Sequence, residues 1–143
     1  MPALDRRLFV YGTLLTGESD HGLLETGQRL GAYRTEPDFH LVDLGACAAL
    51  VPGGSTSVLG EIYLVDLATL LKVDVARQVP ILFDRVTVGV SDGSKAEAYV
   101  MTPDQVRGRR RLHHGDWSKR FTGNVRPFDS PFARWARGRS TDR

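Results

Sequence analysis

The sequence has little of what secreted and membrane-spanning proteins require. Its 143 residues include one cysteine, Cys47, so no disulfide can form within the chain. It contains no run of about 20 apolar residues that would cross a membrane, and no charged and apolar leader at its start. We therefore expect a cytoplasmic protein without a membrane partner, and we expect Cys47, among alanines and Leu50, to be an inert buried thiol.

The chain also lacks a dominant sign of charge. Lys and Arg number 19 against 17 Asp and Glu, which gives a net charge of +2. The basic excess is confined to residues 107–143, and the run Arg107–His114 contains no interleaved aromatic residues on which bases would stack. We expect this run to be a solvated surface rather than a nucleic-acid site.

What is present indicates one globular domain. Hydrophobic residues make up 41% of the chain and charged residues 25%. We place the domain at residues 1–122 and an Arg-rich, partly disordered extension at 123–143. Short β-type runs outnumber helical ones, which predicts an α+β protein. The predicted strands are 8–11, 29–35, 39–44, 48–51, 58–65, 81–90 and 95–101, with a hairpin turn at 91–94. The predicted helices are 21–25, capped by Ser19 or Asp20, and 66–73, capped by Asp66.

The stretch Leu8–Leu15 organises the rest of the chain. Leu8–Tyr11 is apolar at every position, which favours a strand buried on both faces. Gly12 then permits a sharp turn, and the turn with Thr13 can direct backbone N–H groups toward an anion or a carbonyl oxygen. Taken alone, the same pattern also fits an ordinary turn.

Six segments, taken in order, resemble the gamma-glutamylcyclotransferase-like family, which includes the AIG2-like and butirosin-type enzymes. The first is Tyr11-Gly12-Thr13-Leu14, similar to the family's Tyr-Gly-Thr/Ser-Leu loop, and the third closely matches its Val-x-Gly-Glu-(Leu/Val)-Tyr strand. Together they cover most of residues 7–121. The second segment is Leu44–Gly53 and the third is Val58–Asp66. The last three are Phe83–Val88, Ala96–Val100 and Gly115–Trp117.

This resemblance implies a small α+β fold whose mixed, mostly antiparallel sheet is bent into a barrel-like cavity, with a few short helices. It implies that a gamma-glutamyl group binds over the Tyr-Gly-Thr-Leu loop. A glutamate moves a proton while the substrate's α-amine attacks its γ-carbonyl, releasing 5-oxoproline and an amine. No metal and no organic cofactor is implied. The candidate substrate-binding residues are Tyr11, Gly12, Thr13 and Leu14 of this loop, together with Phe83, Tyr99 and Arg77, which would hold a carboxylate or phosphate.

The chain departs from the family where the catalytic glutamate belongs. The family's Leu-Asp-x-x-Glu-Gly reads Val73–Gln78 here, with Arg77 in place of glutamate and Gln78 in place of glycine. Arginine stays protonated and cannot act as the same general base. Phe83 also replaces a tyrosine. A shift of the alignment that brings Asp74 into the site is the alternative interpretation.

Two carboxylates are the catalytic candidates, Glu61 and Asp74. Glu61 lies on a strand face that is otherwise apolar, where burial is expected to raise its pKa, although we favour a structural hydrogen-bonding role for it. Asp74 fits either the site or an anchor for the chain after the helix. His113 and His114 precede Gly115-Asp116-Trp117, so they lie either at a cavity rim or in solvent.

The function predicted from these residues is that of a divergent gamma-glutamylcyclotransferase-like enzyme. Its substrate is expected to be a small metabolite containing an amine or amide, and the ordinary release of 5-oxoproline is not expected, because of Arg77. The alternative is a non-catalytic small-molecule-binding or accessory protein on the same fold. A homodimer is left open.

Overall fold

The computed structural model describes residues 3–121, so the predicted extension at 123–143 lies outside the described residues. Eight strands and one α-helix appear in this part of the chain. The strands are β1 (Arg6–Val10), β2 (Gln28–Arg34), β3 (Phe39–Asp43), β4 (Ala48–Pro52), β5 (Leu59–Val65), β6 (Asp84–Gly89), β7 (Lys95–Val100) and β8 (Arg110–Arg111), and the helix is α1 (Leu67–Ala76). Short 3-10 turns occupy Gly12–Leu14, His21–Leu24, Asp104–Val106 and Trp117–Lys119.

The strands form one sheet that curls until two of its edges meet. β5 runs antiparallel to both β1 and β2, and β7 runs antiparallel to β6 and parallel to β1. An isolated bridge between Thr35 and Val90 joins the end of β2 to the end of β6. This bridge completes a ring of the five strands β1, β5, β2, β6 and β7. The predicted α+β class with a barrel-like sheet is confirmed.

The remaining strands extend the sheet beyond this ring. β4 pairs in parallel with β7 at Leu50 and Val100, β3 pairs with β4, and β8 pairs with β3. β1 and β4 therefore both pair with β7: β1 pairs at Glu97 and β4 pairs at Val100. The sheet divides at this point, and the turn after β1 lies beside the division.

The two faces of the sheet bury separate cores. Phe9, Ile62, Leu50 and Trp117 belong to a cluster that fills the interior of the curled sheet. Leu8 belongs to the second cluster, which packs the opposite face against α1. Successive residues of a strand point to opposite faces, so β1 is buried on both sides, as the apolar run Leu8–Tyr11 predicts.

Helix α1 begins as predicted but extends further. The Asp66 carboxylate accepts a hydrogen bond from the Thr69 N–H at 2.8 Å, which confirms the predicted N-cap. The helix continues to Ala76, so Asp74 lies in its last turn rather than beyond its end. No helix within residues 3–121 is long and apolar enough to cross a membrane.

The strand predicted for residues 81–90 is shorter than expected. β6 begins only at Asp84, because residues 77–83 form a series of turns that includes the Leu82 N–H bonded to the Gln78 carbonyl at 2.8 Å. Ile81 is 83% exposed in these turns. Its β-branched side chain favoured a strand in the sequence, but no neighbouring strand pairs with it in the described chain.

Candidate functional site

The turn Gly12–Leu14 follows β1 and is buried along its whole length. Gly12 has a φ of +63°, and a Cβ built on it would lie 2.9 Å from the Ala48 Cβ. The turn therefore needs glycine for two reasons: the left-handed backbone and the close approach to β4. Because Gly12 has no side chain, the backbone of the turn lies directly against Ala48 at the start of β4.

Tyr11, one residue before the turn, holds the divided sheet together. Its hydroxyl donates to the Tyr99 carbonyl at 2.6 Å and accepts from the Leu50 N–H at 2.9 Å. The ring lies in the interior cluster, whereas Leu14 belongs to the cluster on the helix side. Burial raises the pKa of the Tyr11 hydroxyl. The side chains of Tyr11 and Leu14, two of the expected substrate-binding residues, thus lie in different clusters.

Arg77 reaches the turn from the end of α1. Its Nη2 donates to the Thr13 hydroxyl at 3.1 Å, and its Nη1 lies 3.4 Å from the Asp20 Oδ2. Thr13 in turn donates to the same Asp20 oxygen at 2.6 Å. The guanidinium lies 5.8 Å from the centre of the Phe83 ring. We call Thr13, Asp20, Arg77 and Phe83 the Arg77 cluster.

The backbone after α1 explains why Arg77 points to the turn. The Arg77 N–H still bonds to the Val73 carbonyl at 2.9 Å, which fixes its direction relative to the helix. Gln78 follows with a φ of +55°, a conformation that favours glycine. The resemblance places the family's glycine at position 78, so this backbone supports the alignment that places Arg77 at the position of the glutamate.

Asp74 lies in a different network, one turn earlier on α1. Its Oδ1 accepts from the Arg85 Nε at 2.9 Å and from the Tyr99 hydroxyl at 2.7 Å. Arg85 also donates to the Glu97 Oε1 at 2.8 Å. The hydrogen bond to Asp74 is the largest cause of a raised pKa at Arg85, and burial raises the pKa of Tyr99. We call Asp74, Arg85, Glu97 and Tyr99 the Arg85 cluster.

Glu61 belongs to neither cluster. One of its oxygens accepts from the Thr16 N–H at 3.0 Å and from the Thr16 hydroxyl at 2.9 Å, and the other pairs with Arg29 at 3.2 Å. The expectation of a raised pKa was wrong: burial raises the pKa of Glu61, but the bonds from Thr16 and Arg29 together outweigh it and lower the pKa. Glu61 lines a recess of about 200 Å³ together with Glu18 and Asp116.

Two side chains near the turn were given no site role from the sequence. Asp20 was considered only as a helix cap, but its carboxylate makes no cap and bonds to Thr13. The neighbouring His21 contacts the Leu14 carbonyl through Nδ1 at 3.0 Å. The seven-residue separation of Thr13 and Asp20 was the available signal, and it carries no characteristic pattern.

Three other residues were considered from the sequence. Burial raises the pKa of the half-buried Cys47 thiol, which agrees with an inert group, and the opposing effect of the Arg77 charge on this pKa places the thiol near the Arg77 cluster. His114 accepts from the Asp116 N–H at 3.1 Å within its own loop, and His113 is half-buried one residue earlier. Residues 3–121 contain no group of three His, Cys, Asp or Glu side chains arranged to hold a metal.

Comparison with known proteins identifies the family. The family described as "Gamma-glutamyl cyclotransferase, AIG2-like" matches residues 8–119, and the chain belongs to it. A Vibrio cholerae protein named for the gamma-glutamylcyclotransferase activity is 42% identical over 117 residues, which cover 79% of this chain and 96% of that protein. Gamma-glutamylaminecyclotransferase A of Danio rerio is 34% identical over 113 residues and covers 70% of each chain.

Solved structures agree with this assignment. The solution structure of the Escherichia coli protein YtfP has a TM-score of 0.62 and 32% identity, and the match covers 80% of this chain and 97% of that one. A uropathogenic E. coli protein has a TM-score of 0.71 at 21% identity, covering 80% of this chain and 94% of its own, which supports the fold alone.

The chemistry available at the Arg77 cluster is that of paired opposite charges beside a turn. The guanidinium is a permanent donor suited to a carboxylate, whereas the Asp20 carboxylate accepts protons and pairs with ammonium groups. The Arg77 side chain is 12% exposed and that of Asp20 is 39% exposed. Asp20 is therefore the more accessible of the two charges.

Proposed function

We propose that this protein is a divergent gamma-glutamylcyclotransferase-family enzyme for a small amine- or amide-containing metabolite that binds at the Arg77 cluster. The observation that carries the proposal is the contact of Arg77 with Thr13, at 3.1 Å. It supports the interpretation that a cation stands beside the Gly12–Leu14 turn, where the resemblance implies a glutamate. The ordinary release of 5-oxoproline is then not expected.

The paired charges favour a ligand with both an anionic and a cationic group. Arg77 would hold a carboxylate, and Asp20 would face an ammonium group or accept its proton. Among the sequence candidates, Asp74 is held by Arg85 at 2.9 Å and Glu61 by Thr16 at 2.9 and 3.0 Å, whereas Arg77 lies 3.4 Å from Asp20, so Asp74 and Glu61 fit structural roles better than proton transfer. Asp20 is the carboxylate that contacts the turn, and we add it to the candidate proton acceptors.

The direct test is an assay of 5-oxoproline release from gamma-glutamyl amines by the purified full chain. We expect no release above background, because general acid–base groups typically contribute about 10²–10⁴-fold. Arg77→Glu is expected to produce a trace of activity. Arg6→Glu reverses a charge at the exposed first residue of β1 and is the matched control, for which no activity is expected.

Robust release by the unmodified protein would overturn this account. In that case Asp20→Asn distinguishes whether Asp20 supplies the base, since the amide cannot accept the proton. The non-catalytic alternative is favoured by one observation, the occupation of the Asp20 carboxylate by Thr13 and Arg77. Incubation with candidate amino-acid amides separates the two functions: product formation supports the enzyme, and saturable binding without product supports the accessory protein.

A further inference from the structure

A second cavity, of about 330 Å³, lies between the sheet extension and the segment that follows β7. Its lining contains no residue of the Arg77 cluster, of the Arg85 cluster or of the Gly12–Leu14 turn. One wall is the face of β3, β4 and β8 that carries Val42 and Val51, and the opposite wall is the segment 103–109. The volume is at the lower end of the range found for small-molecule sites.

The rim of this cavity is strongly basic. Arg107, Arg109 and Arg111 line it together with His40, and Asp104 is the one acidic residue in the lining. Burial lowers the pKa of His40, and the positive charges of Arg111 and His113 lower it further. The positive charges of the three arginines therefore favour an anion in this cavity.

The backbone arranges these arginines by strand alternation. Arg109 and Arg111 are two residues apart and both line the cavity, whereas Arg110 between them bonds to Asp43 and to the Arg120 carbonyl. Gly108, with a φ of +79°, turns the chain so that Arg107 joins the same rim. Arg109 is held in place by a 2.6 Å bond from one of its amino groups to the Leu44 carbonyl, which leaves its other N–H groups for a ligand.

The base of the cavity is apolar. Val42, Val51 and Val106 belong to the buried cluster on the helix side of the sheet, and Pro52 and Pro103 complete this surface. A basic rim above an apolar base suits a ligand with an anionic group and an apolar body. Residues 122–143 do not fit this description, since they carry five arginines against two aspartates.

We propose that this cavity binds a small organic anion, through a carboxylate or phosphate held by Arg107 and Arg109 above an apolar body in contact with Pro52, Pro103 and Val106. The anion would share Arg107 with Asp104, with which this arginine now forms an ion pair. The guanidinium group suits both anions because its N–H groups match two oxygens at once. This site is independent of the function proposed for the Arg77 cluster.

Calorimetric titration of the full chain with benzoate, phenyl phosphate and neutral benzyl alcohol tests the proposal. We expect saturable binding of at least one anion and none of benzyl alcohol. Comparison of the affinities for benzoate and phenyl phosphate shows whether the site prefers a carboxylate or a phosphate. Arg109→Ala is expected to weaken binding by about tenfold, the value of one charged hydrogen bond.

Arg110→Ala is the matched control, since it removes the same charge from the next residue but from the opposite face. It is expected to change the affinity by less than about twofold, and unchanged thermal unfolding of each variant shows that the fold is kept. Absence of anion binding overturns the proposal, as does equal binding of benzyl alcohol or an equal loss in Arg109→Ala and Arg110→Ala. Salt-sensitive binding of a single-stranded RNA with equal loss in both variants would instead indicate a nucleic-acid surface.

Discussion

The two clusters at the end of α1 each join an arginine to an aspartate and a hydroxyl group, but they are arranged differently. Arg85 makes bonds of 2.8 and 2.9 Å to two carboxylates from different elements, and Tyr99 completes the network. Arg77 makes contacts of 3.1 to 3.5 Å to a hydroxyl and to a carboxylate that is 39% exposed. The short bonds join α1, β6 and β7, whereas the longer ones lie beside a turn.

This difference separates an anchoring role from a ligand-facing role. A network whose donors and acceptors are all matched holds its elements together, but it has little capacity left for a ligand. Long contacts to an exposed carboxylate contribute little to stability and are easily exchanged for contacts to a ligand. The loss of stability caused by mutations should therefore be larger in the Arg85 cluster than in the Arg77 cluster.

The largest effect is expected in the Arg85 cluster. Asp74→Ala leaves the Arg85 guanidinium and the Tyr99 hydroxyl without their shared acceptor, and it should lower the free energy of unfolding by about 2–3 kcal/mol. Arg77→Ala, three residues further, should lower it by less than about 1 kcal/mol. Urea denaturation of both variants measures the two values, and equal losses would remove the distinction between the clusters.

The next effect concerns the turn beneath Arg77. Gly12→Ala forces an L side chain into a left-handed backbone and brings its Cβ to 2.9 Å from the Ala48 Cβ, so we expect a loss of about 2 kcal/mol. The double variant with Ala48→Gly removes the contact but keeps the backbone cost, and it should recover part of the loss. Full recovery would show that the close approach alone requires glycine.

The smallest effect concerns the residue after Arg77. Gln78→Gly relieves the left-handed conformation and should raise the free energy of unfolding by about 0.5–1 kcal/mol. Gln28→Gly on β2 is the matched control and should lower it by a similar amount, because glycine weakens a strand. A loss of stability in Gln78→Gly would mean that the Gln78 side chain has a role that outweighs its backbone.

Local signals in the sequence predicted most of the elements, because they act over a few residues. Asp66 preceding a helical run predicted the cap, and the glycine between Asp92 and Ser94 predicted the turn between β6 and β7. Ile81 was misjudged because a β-branched residue carries no information on whether a partner strand is present. The parallel pairing of β7 with β1 and β4 depends on residues far apart in the chain, and no local pattern encodes it.

The candidate site was less predictable than the fold. The resemblance indicated Arg77 and the Gly12–Leu14 turn, and the contact between Arg77 and Thr13 brings them together. It did not indicate Asp20, whose carboxylate has its role only because residues 20 and 77 meet in space. Their roles in binding remain predictions for the assays described above.

The bridge between Thr35 and Val90 also bears on the behaviour of this protein at high concentration. An open strand edge is a template on which another chain can add, and such addition starts aggregation. The bridge and the bonds from the Ser91 N–H to the Arg34 carbonyl and from the Glu36 N–H to the Gly89 carbonyl hold β2 and β6 together at one end, so neither edge is open along its whole length. At the far end of the sheet, β8 is two residues long, and both residues are arginines. Repulsion between these arginines and those of a second copy disfavours the addition of another chain at this edge.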